Sequence, residues 1–294
     1  MSWRTVVISS RCKLDTKMGY MVIRAEEIRR IFLDEIAIVI IENPAVAMTG
    51  CLLSELIQRK IKVIFCDSSH MPQSELVPYY GSHDTSRKLR VQIGWKKMLK
   101  GAVWGDIIAQ KIYQQALFLR ELGHSAEAQL LEGYISQIEF QDATNREGHA
   151  AKVYFNAVFG MDFSRRGDHP FSAALNYGYS ILLSAFNREI VACGYLTQIG
   201  LHHDNVFSRF NLGSDLMEPF RVLIDRAVYL NDMKELTTQA KRKLTNVLNE
   251  QVTIANAKQT ALAAIGIYVR SVFDAMLEED PSRLKFYEIW AIGL

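Results

Sequence analysis

Residues 79–86, YYGSHDTS, separate two parts of the chain that differ in hydrophobic pattern. Before this segment, short runs rich in β-branched residues alternate with turn residues, which is typical of strands. After it, apolar residues recur at helical spacing through most of the 294-residue chain. The glycine and small polar residues of the segment favour a break in regular structure. The sequence therefore predicts an α+β protein, with a small β-rich N-terminal domain followed by a larger all-α C-terminal domain.

We place the β-rich domain at residues 1–80, a linker at 81–90 and the helical domain at 91–294. Strands are predicted at TVVIS, YMVIRA, IRRIF and IAIVII, and at IKVIFCD after a helix over residues 49–59. SELVPYY reads as a final edge strand, because its proline cannot donate to a strand ladder. Beyond the linker, helices are predicted over residues 87–100, 102–122, 125–138, 145–159, 170–195, 216–230, 233–250 and 258–277.

The composition is ordinary for a soluble globular protein, with 49% hydrophobic residues, 22% charged residues and a net charge of +2. This balance does not by itself indicate a nucleic-acid partner, although a local basic surface is compatible with it. The four cysteines form no CxxC pair, which argues against a zinc ribbon and favours reduced thiols in a cytoplasmic protein. No stretch approaches the roughly 20 apolar residues of a membrane span, so no membrane partner is expected.

Candidate chemistry is concentrated in residues 200–221, GLHHDNVFSRFNLGSDLMEPFR. Asp215 and Glu218 are three residues apart, so on a helix they share a face. Two carboxylates with an imidazole upstream can hold a divalent metal. A further acid would complete such a site, and Glu147 is the best candidate because it opens a helical segment otherwise poor in acids.

The residues alone leave two alternatives open. The spacing of Asp215 and Glu218 before an apolar run also resembles a capping box, and Pro219 supports a helix start at this point. In that case the two acids would stabilise a helix and bind no metal. His202 and His203 are neighbours that cannot both point into one site, and the spacing does not decide between them.

Basic residues surround these acids in the sequence and could neutralise DNA phosphates near a cleft. The alternative for each is a solvated, salt-bridged helical surface. The aromatic residues of the same helices are expected in the core rather than as platforms for base stacking. The candidates for DNA contact are Arg146, Lys152, Arg165, Arg166, Arg209 and Arg221, and the expected core aromatics are Tyr154, Phe155, Phe159, Tyr177 and Tyr179.

The sequence resembles the family of CRISPR-associated spacer-acquisition integrases, the Cas-one proteins. The resemblance is carried by WRTVVIS, KVIFCD, PYYGSHDTS and TNREGHAAKVYF together with residues 200–221, and it spans both predicted domains. The segments YYGSHDTS and NREGHAA are similar to the type II form of the family, which is encoded beside a single large RNA-guided nuclease.

The resemblance implies a divalent metal site in the helical domain, with Mg²⁺ or Mn²⁺ as the cofactor. The family's metal ligands, which are also its catalytic residues, match Glu147, His203 and Glu218. His203 is preferred to His202 because the family's histidine lies 15 residues before the glutamate of the DLME block. Asp215 matches a position that ligates metal in some relatives, so it is expected as a fourth ligand.

The implied activity is CRISPR adaptation, in which short double-stranded DNA spacers are inserted into the CRISPR array by metal-dependent transesterification. The implied partners are double-stranded DNA, a second copy of the chain bound through the β-domain, and the second adaptation protein, Cas-two, with two dimers flanking one Cas-two dimer. In type II systems the RNA-guided nuclease and a ring-forming DNA-end protein would join them. Two other functions stay open: a metal-dependent endonuclease acting on branched DNA, and a non-enzymatic DNA-binding scaffold.

Overall fold

A computed structural model describes residues 3–79, 81–164, 167 and 169–289 of the chain. Its contacts divide the chain into two compact units. The first unit holds the residues through Thr85 together with Val191–Gly194, and the second holds Ser86–Ile190 and the residues from Tyr195 onward. The first unit is rich in strands and the second is mostly helical, so the predicted α+β class is confirmed.

In its described residues, the first unit contains two four-stranded sheets, one α-helix and the 3-10 turn Leu33–Glu35. Its elements are β1 (Arg4–Ile8), β2 (Lys13–Lys17), β3 (Tyr20–Arg24), β4 (Ile28–Phe32), β5 (Ile36–Ile41), β6 (Ala47–Met48), α1 (Gly50–Gln58), β7 (Lys62–Cys66) and β8 (Pro72–Leu76). One sheet has the order β1-β5-β7-β8, with parallel pairs except for β7 and β8. The other has the order β4-β3-β2-β6 and is antiparallel except for the short β2–β6 pair.

The apolar run of β5 explains its central place in the first sheet. All six of its residues are buried, and it pairs with β1 on one side and β7 on the other. A strand covered on both faces needs a continuous apolar run rather than alternation. Thr49 caps α1 by accepting a hydrogen bond from the backbone N–H of Leu52, and Leu52 and Leu56 are buried in the core of this unit.

The second unit is built mainly from helices. They are α2 (Thr85–Ile93), α3 (Lys97–Glu121), α4 (Ser125–Ile135), α5 (Arg146–Phe159), α6 (Ser172–Ala192), α7 (Asn211–Leu216), α8 (Arg221–Leu230), α9 (Thr238–Asn246) and α10 (Ala261–Glu278). The expectation of an all-α domain needs one correction, because β9 (Gln251–Ile254), β10 (Ala257–Thr260) and β11 (Tyr287–Ile289) form an antiparallel sheet here. Ala255 and Asn256 both have positive φ angles and make the tight turn between β9 and β10.

The start of the helical unit also differs in detail from the prediction. α2 begins at Thr85, within the segment assigned to the linker at residues 81–90. The predicted break near Gly101 is wrong, because α3 runs continuously through that residue. A Cβ atom on Gly101 would lie 2.9 Å from Gln141 Cγ and closer still to the Phe140 ring. The glycine therefore permits close packing and does not end the helix.

The long helix α3 carries one fully buried apolar face. Val103, Trp104, Ile107, Ile108 and Ile112 on this face have no solvent exposure. Their spacing places them along one stripe of the helix, so α3 lies in the middle of the second unit. In the part of the chain that the structure describes, none of the helices has the length and apolar character needed to cross a membrane.

Candidate functional site

Glu147 lies in the first turn of α5, and local hydrogen bonds fix this turn. Asn145 has a left-handed φ of 53°, and its side-chain oxygen accepts a hydrogen bond of 3.3 Å from the backbone N–H of Gly148. The Asp142 carboxylate accepts from the backbone N–H groups of Arg146, at 2.7 Å, and Glu147, at 3.0 Å. Because these capping bonds satisfy the free N–H groups of the turn, Glu147 stands on rigid backbone.

Asp215 organises the loop that carries both histidines. Its fully buried carboxylate accepts hydrogen bonds from the backbone N–H groups of Leu201, His202 and His203, at 2.6, 3.0 and 3.1 Å. Gly200 leaves room for this arrangement, because a Cβ atom there would lie 2.6 Å from Asp215 Oδ2. The glycine that opens the loop and the acid that holds it therefore depend on each other.

The two histidines have different environments. The His202 ring stacks on the buried Trp104 ring, with the centroids 4.4 Å apart and the planes 3° from parallel. Nδ1 of His203 lies 2.5 Å from Asp215 Oδ1, and this hydrogen bond raises the pKa of His203. A carboxylate can only accept, so Nδ1 carries a proton and Nε2 is left for another partner. The geometry thus favours His203 over His202 as the site residue.

Glu218 is buried between two cations. It opens the 3-10 turn Glu218–Phe220, which connects α7 and α8, and its exposure is 3%. Oε1 lies 2.9 Å from Nη2 of Arg221, and Oε2 lies 2.5 Å from Nζ of Lys111. Burial raises the pKa of Glu218, but the charges of Arg221 and Lys111 outweigh burial and lower the pKa to about 2. Glu218 is therefore an ionised carboxylate inside the protein.

Lys111 is a functional candidate that sequence reasoning missed. It lies on the buried side of α3, and its Nζ is also 2.6 Å from Oε1 of Glu147. Burial lowers the pKa of Lys111, but Glu218 and Glu147 outweigh burial and raise it, so the side chain is an ammonium ion. Lys111 lies three residues after Ile108 and four residues after Ile107, where the helical period predicts an apolar side chain. A lysine at such a position is the signal that the sequence contains.

Arg221 also contacts a buried polar network. The Arg221 guanidinium lies 4.9 Å from the centroid of the Tyr179 ring. The hydroxyls of Tyr179 and Tyr154 both donate to the buried Asp225 carboxylate, the latter at 3.1 Å. Burial, followed by the charge of Asp225, raises the pKa of Tyr154 well above its usual value, so this hydroxyl stays a donor. The prediction of a core position is confirmed for Tyr154 and Tyr179, and also for Phe159 and Tyr177. Phe155, predicted with them, is half-buried and stacks on Phe159 and Phe163.

The helix-capping interpretation of Asp215 and Glu218 is wrong. Among the described residues, no side chain makes a capping hydrogen bond at the start of α7, the 3-10 turn or α8. The carboxylate of Asp215 is used by the loop before α7, and that of Glu218 contacts Lys111 and Arg221. Of the scaffold alternative, only the capping role for these two acids is excluded by these contacts.

The carboxylate oxygens of Glu147 and Glu218 are the type of donor that a hard divalent cation prefers. The Lys111 ammonium touches one oxygen of Glu147 and one of Glu218, so these oxygens are separated by at most about 5 Å, the sum of the two contacts. Two oxygens on one octahedral Mg²⁺ lie up to about 4.2 Å apart. Oε2 of Glu218 is buried and, despite the close ammonium, has no hydrogen bond of acceptable geometry among the described residues. As they lie, however, no three acids, histidines or cysteines of the described chain stand close enough together to hold a metal ion.

The residues predicted to contact DNA fall into three groups. Lys152 and Arg209 are exposed. Arg146 is half-buried with its guanidinium 5.6 Å from the centroid of the Tyr134 ring, and Arg221 is engaged by Glu218. The third group, Arg165 and Arg166, lies outside the described residues.

A sequence model of the family described as CRISPR associated protein Cas1 matches residues 5–259. The CRISPR-associated endonuclease Cas1 of Neisseria meningitidis serogroup C is 33% identical, over 98% of this chain and 97% of the relative. This chain belongs to the Cas1 family. A Cas1 endonuclease of Saccharolobus solfataricus is 27% identical over 65% of each chain.

Solved structures support the fold of this Cas1 family member. A casposase bound to an integration product is similar with a TM-score of 0.78, at 19% identity and over 100% of this chain and 96% of the casposase. A Cas1 protein from Thermotoga maritima has a TM-score of 0.74, at 17% identity and over 93% and 97% of the two chains. At these identities the likeness establishes the fold alone, and the chemistry has to be argued from the site.

Proposed function

We propose that this Cas1 family member is a CRISPR adaptation integrase that inserts short double-stranded DNA spacers into the CRISPR array by transesterification. The observation that carries the proposal is the convergence of Glu147 and Glu218 on one cation position, Nζ of Lys111, in the unit where Asp215 orients His203. Hard oxygen donors with one imidazole suit a divalent metal used in phosphoryl transfer.

In the proposed reaction, the 3′-hydroxyl oxygen of the spacer forms a bond to a phosphorus atom at the edge of the repeat. The bond between that phosphorus and the 3′ oxygen of the repeat strand breaks. The attacking hydroxyl loses its proton to solvent and the displaced oxygen takes one up, so the number of phosphodiester bonds is unchanged. Such a transfer requires positioning and charge neutralisation rather than a protein nucleophile.

Each residue has a distinct part in this chemistry. Mg²⁺ or Mn²⁺ held by Glu147, His203 and Glu218 would neutralise charge that develops on the scissile phosphate. In the neutral His203 ring, the hydrogen bond to Asp215 holds the proton on Nδ1 and leaves Nε2 as the nitrogen that can bind a metal. We assign Asp215 this orienting part rather than that of a fourth ligand, because its oxygens already accept bonds from the histidine loop.

The proposed partners follow from the family. This chain is similar to part of a chain solved in a Cas6-RT-Cas1–Cas2 complex, with a TM-score of 0.74, at 16% identity and over 36% of that chain, and the similar casposase is bound to an integration product. We therefore propose double-stranded DNA and Cas-two as partners, and a homodimer formed through the β-rich unit. A type II context, with the RNA-guided nuclease and the ring-forming DNA-end protein, belongs to the same proposal.

The decisive experiment is strand joining of a labelled duplex into a supercoiled plasmid that carries a CRISPR repeat, with Cas-two and Mn²⁺ present. Glu147→Gln and His203→Phe should lower joining at least about 100-fold. His202→Phe should retain it, because phenylalanine can keep the stack on Trp104. Asp204→Asn, an exposed acid beside His203, is the control for charge in the loop.

The outcomes separate the proposed function from its rival. Joined product that depends on Glu147 and His203 supports the integrase. Nicked plasmid without joining would indicate that water is the nucleophile, as in an endonuclease acting on branched DNA. Equal activity in all folded variants would place the chemistry outside this cluster.

A further inference from the structure

Lys111 is a buried cation held between two acids that come from different segments. Its side chain is only 9% exposed, and Nζ lies 2.6 Å from Glu147 Oε1 and 2.5 Å from Glu218 Oε2. Glu147 belongs to α5, Glu218 to the turn after α7 and Lys111 to α3. A single ammonium group is therefore the direct ionic link between the two carboxylates.

The remaining charges of the cluster do not replace this link. Arg221 contacts Oε1 of Glu218, whereas Lys111 is the cation paired with Glu147. Two carboxylates this close repel each other, and an isolated buried charge costs several kcal/mol, so a cation between them stabilises the free protein. An ammonium and a divalent metal both meet this need, and the two carboxylate oxygens that touch Lys111 are hard donors suited to the metal.

We propose that Lys111 is a built-in counter-cation: it holds Glu147 and Glu218 together in the free protein, and the divalent metal competes with it for their oxygens. This inference rests on the proposed function, because it concerns the metal centre of that function. Lys111 is then a positioning residue that also weakens metal binding. The ammonium keeps the site assembled before metal arrives, and it lowers the affinity of the site for metal.

Metal affinity tests the inference without DNA or activity. Binding of Mn²⁺ to the full chain would be followed by the loss of the paramagnetic resonance signal of free Mn²⁺ at about pH 8, where the acids are ionised. Lys111→Met should bind Mn²⁺ at least about tenfold more tightly than the wild type, because a positive charge is removed a few Å from the metal. Its melting temperature without metal should fall, and the rise in melting temperature on adding Mn²⁺ should exceed that of the wild type.

Two controls isolate the position and the charge of Lys111. Lys96→Met removes the same charge from an exposed ion pair with Glu279 at the beginning of α3, and its Mn²⁺ affinity should equal that of the wild type. Lys111→Arg keeps the charge at the site and should leave the affinity within about threefold of the wild type. Lys111→Gln is the second neutral variant should Lys111→Met not fold, and it too should bind Mn²⁺ more tightly.

The results distinguish this inference from the proposed function. Unchanged or weaker Mn²⁺ binding by a folded neutral variant would overturn the competition, even if the wild type joins DNA. Tighter binding by the neutral variants, together with no joining by the wild type, would support the counter-cation and refute the integrase. An absence of Mn²⁺ binding in the wild type and in the neutral variants would remove both the metal centre and the inference.

Discussion

Asp215→Asn should damage both the stability of the helical unit and its metal centre. The Asp215 carboxylate receives four N–H groups, of which Oδ2 takes those of Leu201 and His202 and Oδ1 takes the backbone N–H and Nδ1 of His203. Asparagine has one oxygen and one NH₂ group. Whichever way the amide is turned, its NH₂ group replaces an acceptor of two of these hydrogen bonds.

The less damaging orientation places the NH₂ group beside His203. Nδ1 can then accept, but the proton of the neutral ring moves to Nε2, and the backbone N–H of His203 has no acceptor. A fully buried unsatisfied donor costs about 1–3 kcal/mol, and the backbone N–H of His203 is part-buried, so its cost lies towards the lower end of this range. The hydrogen bonds that remain also lose their charged acceptor. We therefore expect the free energy of unfolding to fall by about 2–4 kcal/mol. Mn²⁺ affinity should fall by about 10–100-fold, as expected for loss of a residue that orients a ligand.

Urea unfolding followed by tryptophan fluorescence measures the first effect, since Trp104 stacks on His202 within this unit. Mn²⁺ titration and strand joining measure the second. Asp204→Asn changes the charge equally at an exposed position, and its unfolding free energy should stay within about 0.5 kcal/mol of the wild type. An Asp215→Asn protein with wild-type stability and wild-type Mn²⁺ affinity would refute the argument that this carboxylate holds the loop and sets the tautomer.

Two further predictions concern residues around the site, and a third concerns a more distant acid. Tyr287→Phe should lower the free energy of unfolding by about 1–2 kcal/mol, because the buried Tyr287 hydroxyl donates to the carbonyl oxygen of Pro219 at 2.9 Å; urea unfolding measures this. Gly200→Ala should destabilise the chain by about 1–3 kcal/mol and abolish joining, since the added methyl group would press on Asp215. Burial raises the pKa of Glu250, so the unfolded chain ionises first and stability is lost as pH rises. Glu250→Gln should therefore gain stability relative to the wild type as pH rises above about 4.3, the ordinary pKa of a glutamate, measured by thermal unfolding.

Each of these variants has a matched control in the same chain. Tyr113→Phe alters a tyrosine that is 40% exposed, and it should leave stability unchanged. Gly133→Ala adds a methyl group with nothing within 4 Å, so it should not destabilise. Glu235→Gln alters an exposed acid, and its stability relative to the wild type should not increase with pH. Equal effects in a variant and its control would contradict the local explanation given for that variant.

Much of the fold is predictable from local pattern. The apolar run of β5 and the Thr49 cap of α1 are local signals, and both elements form where the sequence places them. Prediction from local pattern fails where contacts with residues distant in the sequence decide the local structure. Gly101 suggested a helix end, but it permits contact with the segment at Phe140. The strand β9 lies between two predicted helices, and β10 overlaps the predicted start of the second helix at residue 258. The pairing of β9 with β10 and with β11 decides the structure of this segment.

Some residues of the candidate site can also be predicted from the sequence, and others cannot. Glu147, Asp215 and Glu218 can be selected from the sequence because they are acids near predicted helix starts. The spacing of Asp215 and Glu218, however, fits capping as well as metal binding. Lys111 was missed because burial of a lysine becomes favourable only where acids from other segments surround it. Arg221 lies only three residues from Glu218, but Lys111 is distant in the sequence from both Glu147 and Glu218, beyond the range of any helical or strand period.

The α+β class, the place of the break between two patterns and the set of acids and histidines available for chemistry can all be read from the linear chain. These properties depend on composition and on periods of a few residues, which the linear chain contains. Three-dimensional folding was needed to show that His203 is held by Asp215 while His202 stacks on Trp104, and that Lys111 joins Glu147 to Glu218. Hydrogen bonds, stacking and ion pairs act over a few Å, so they are set by which segments the folded chain brings together.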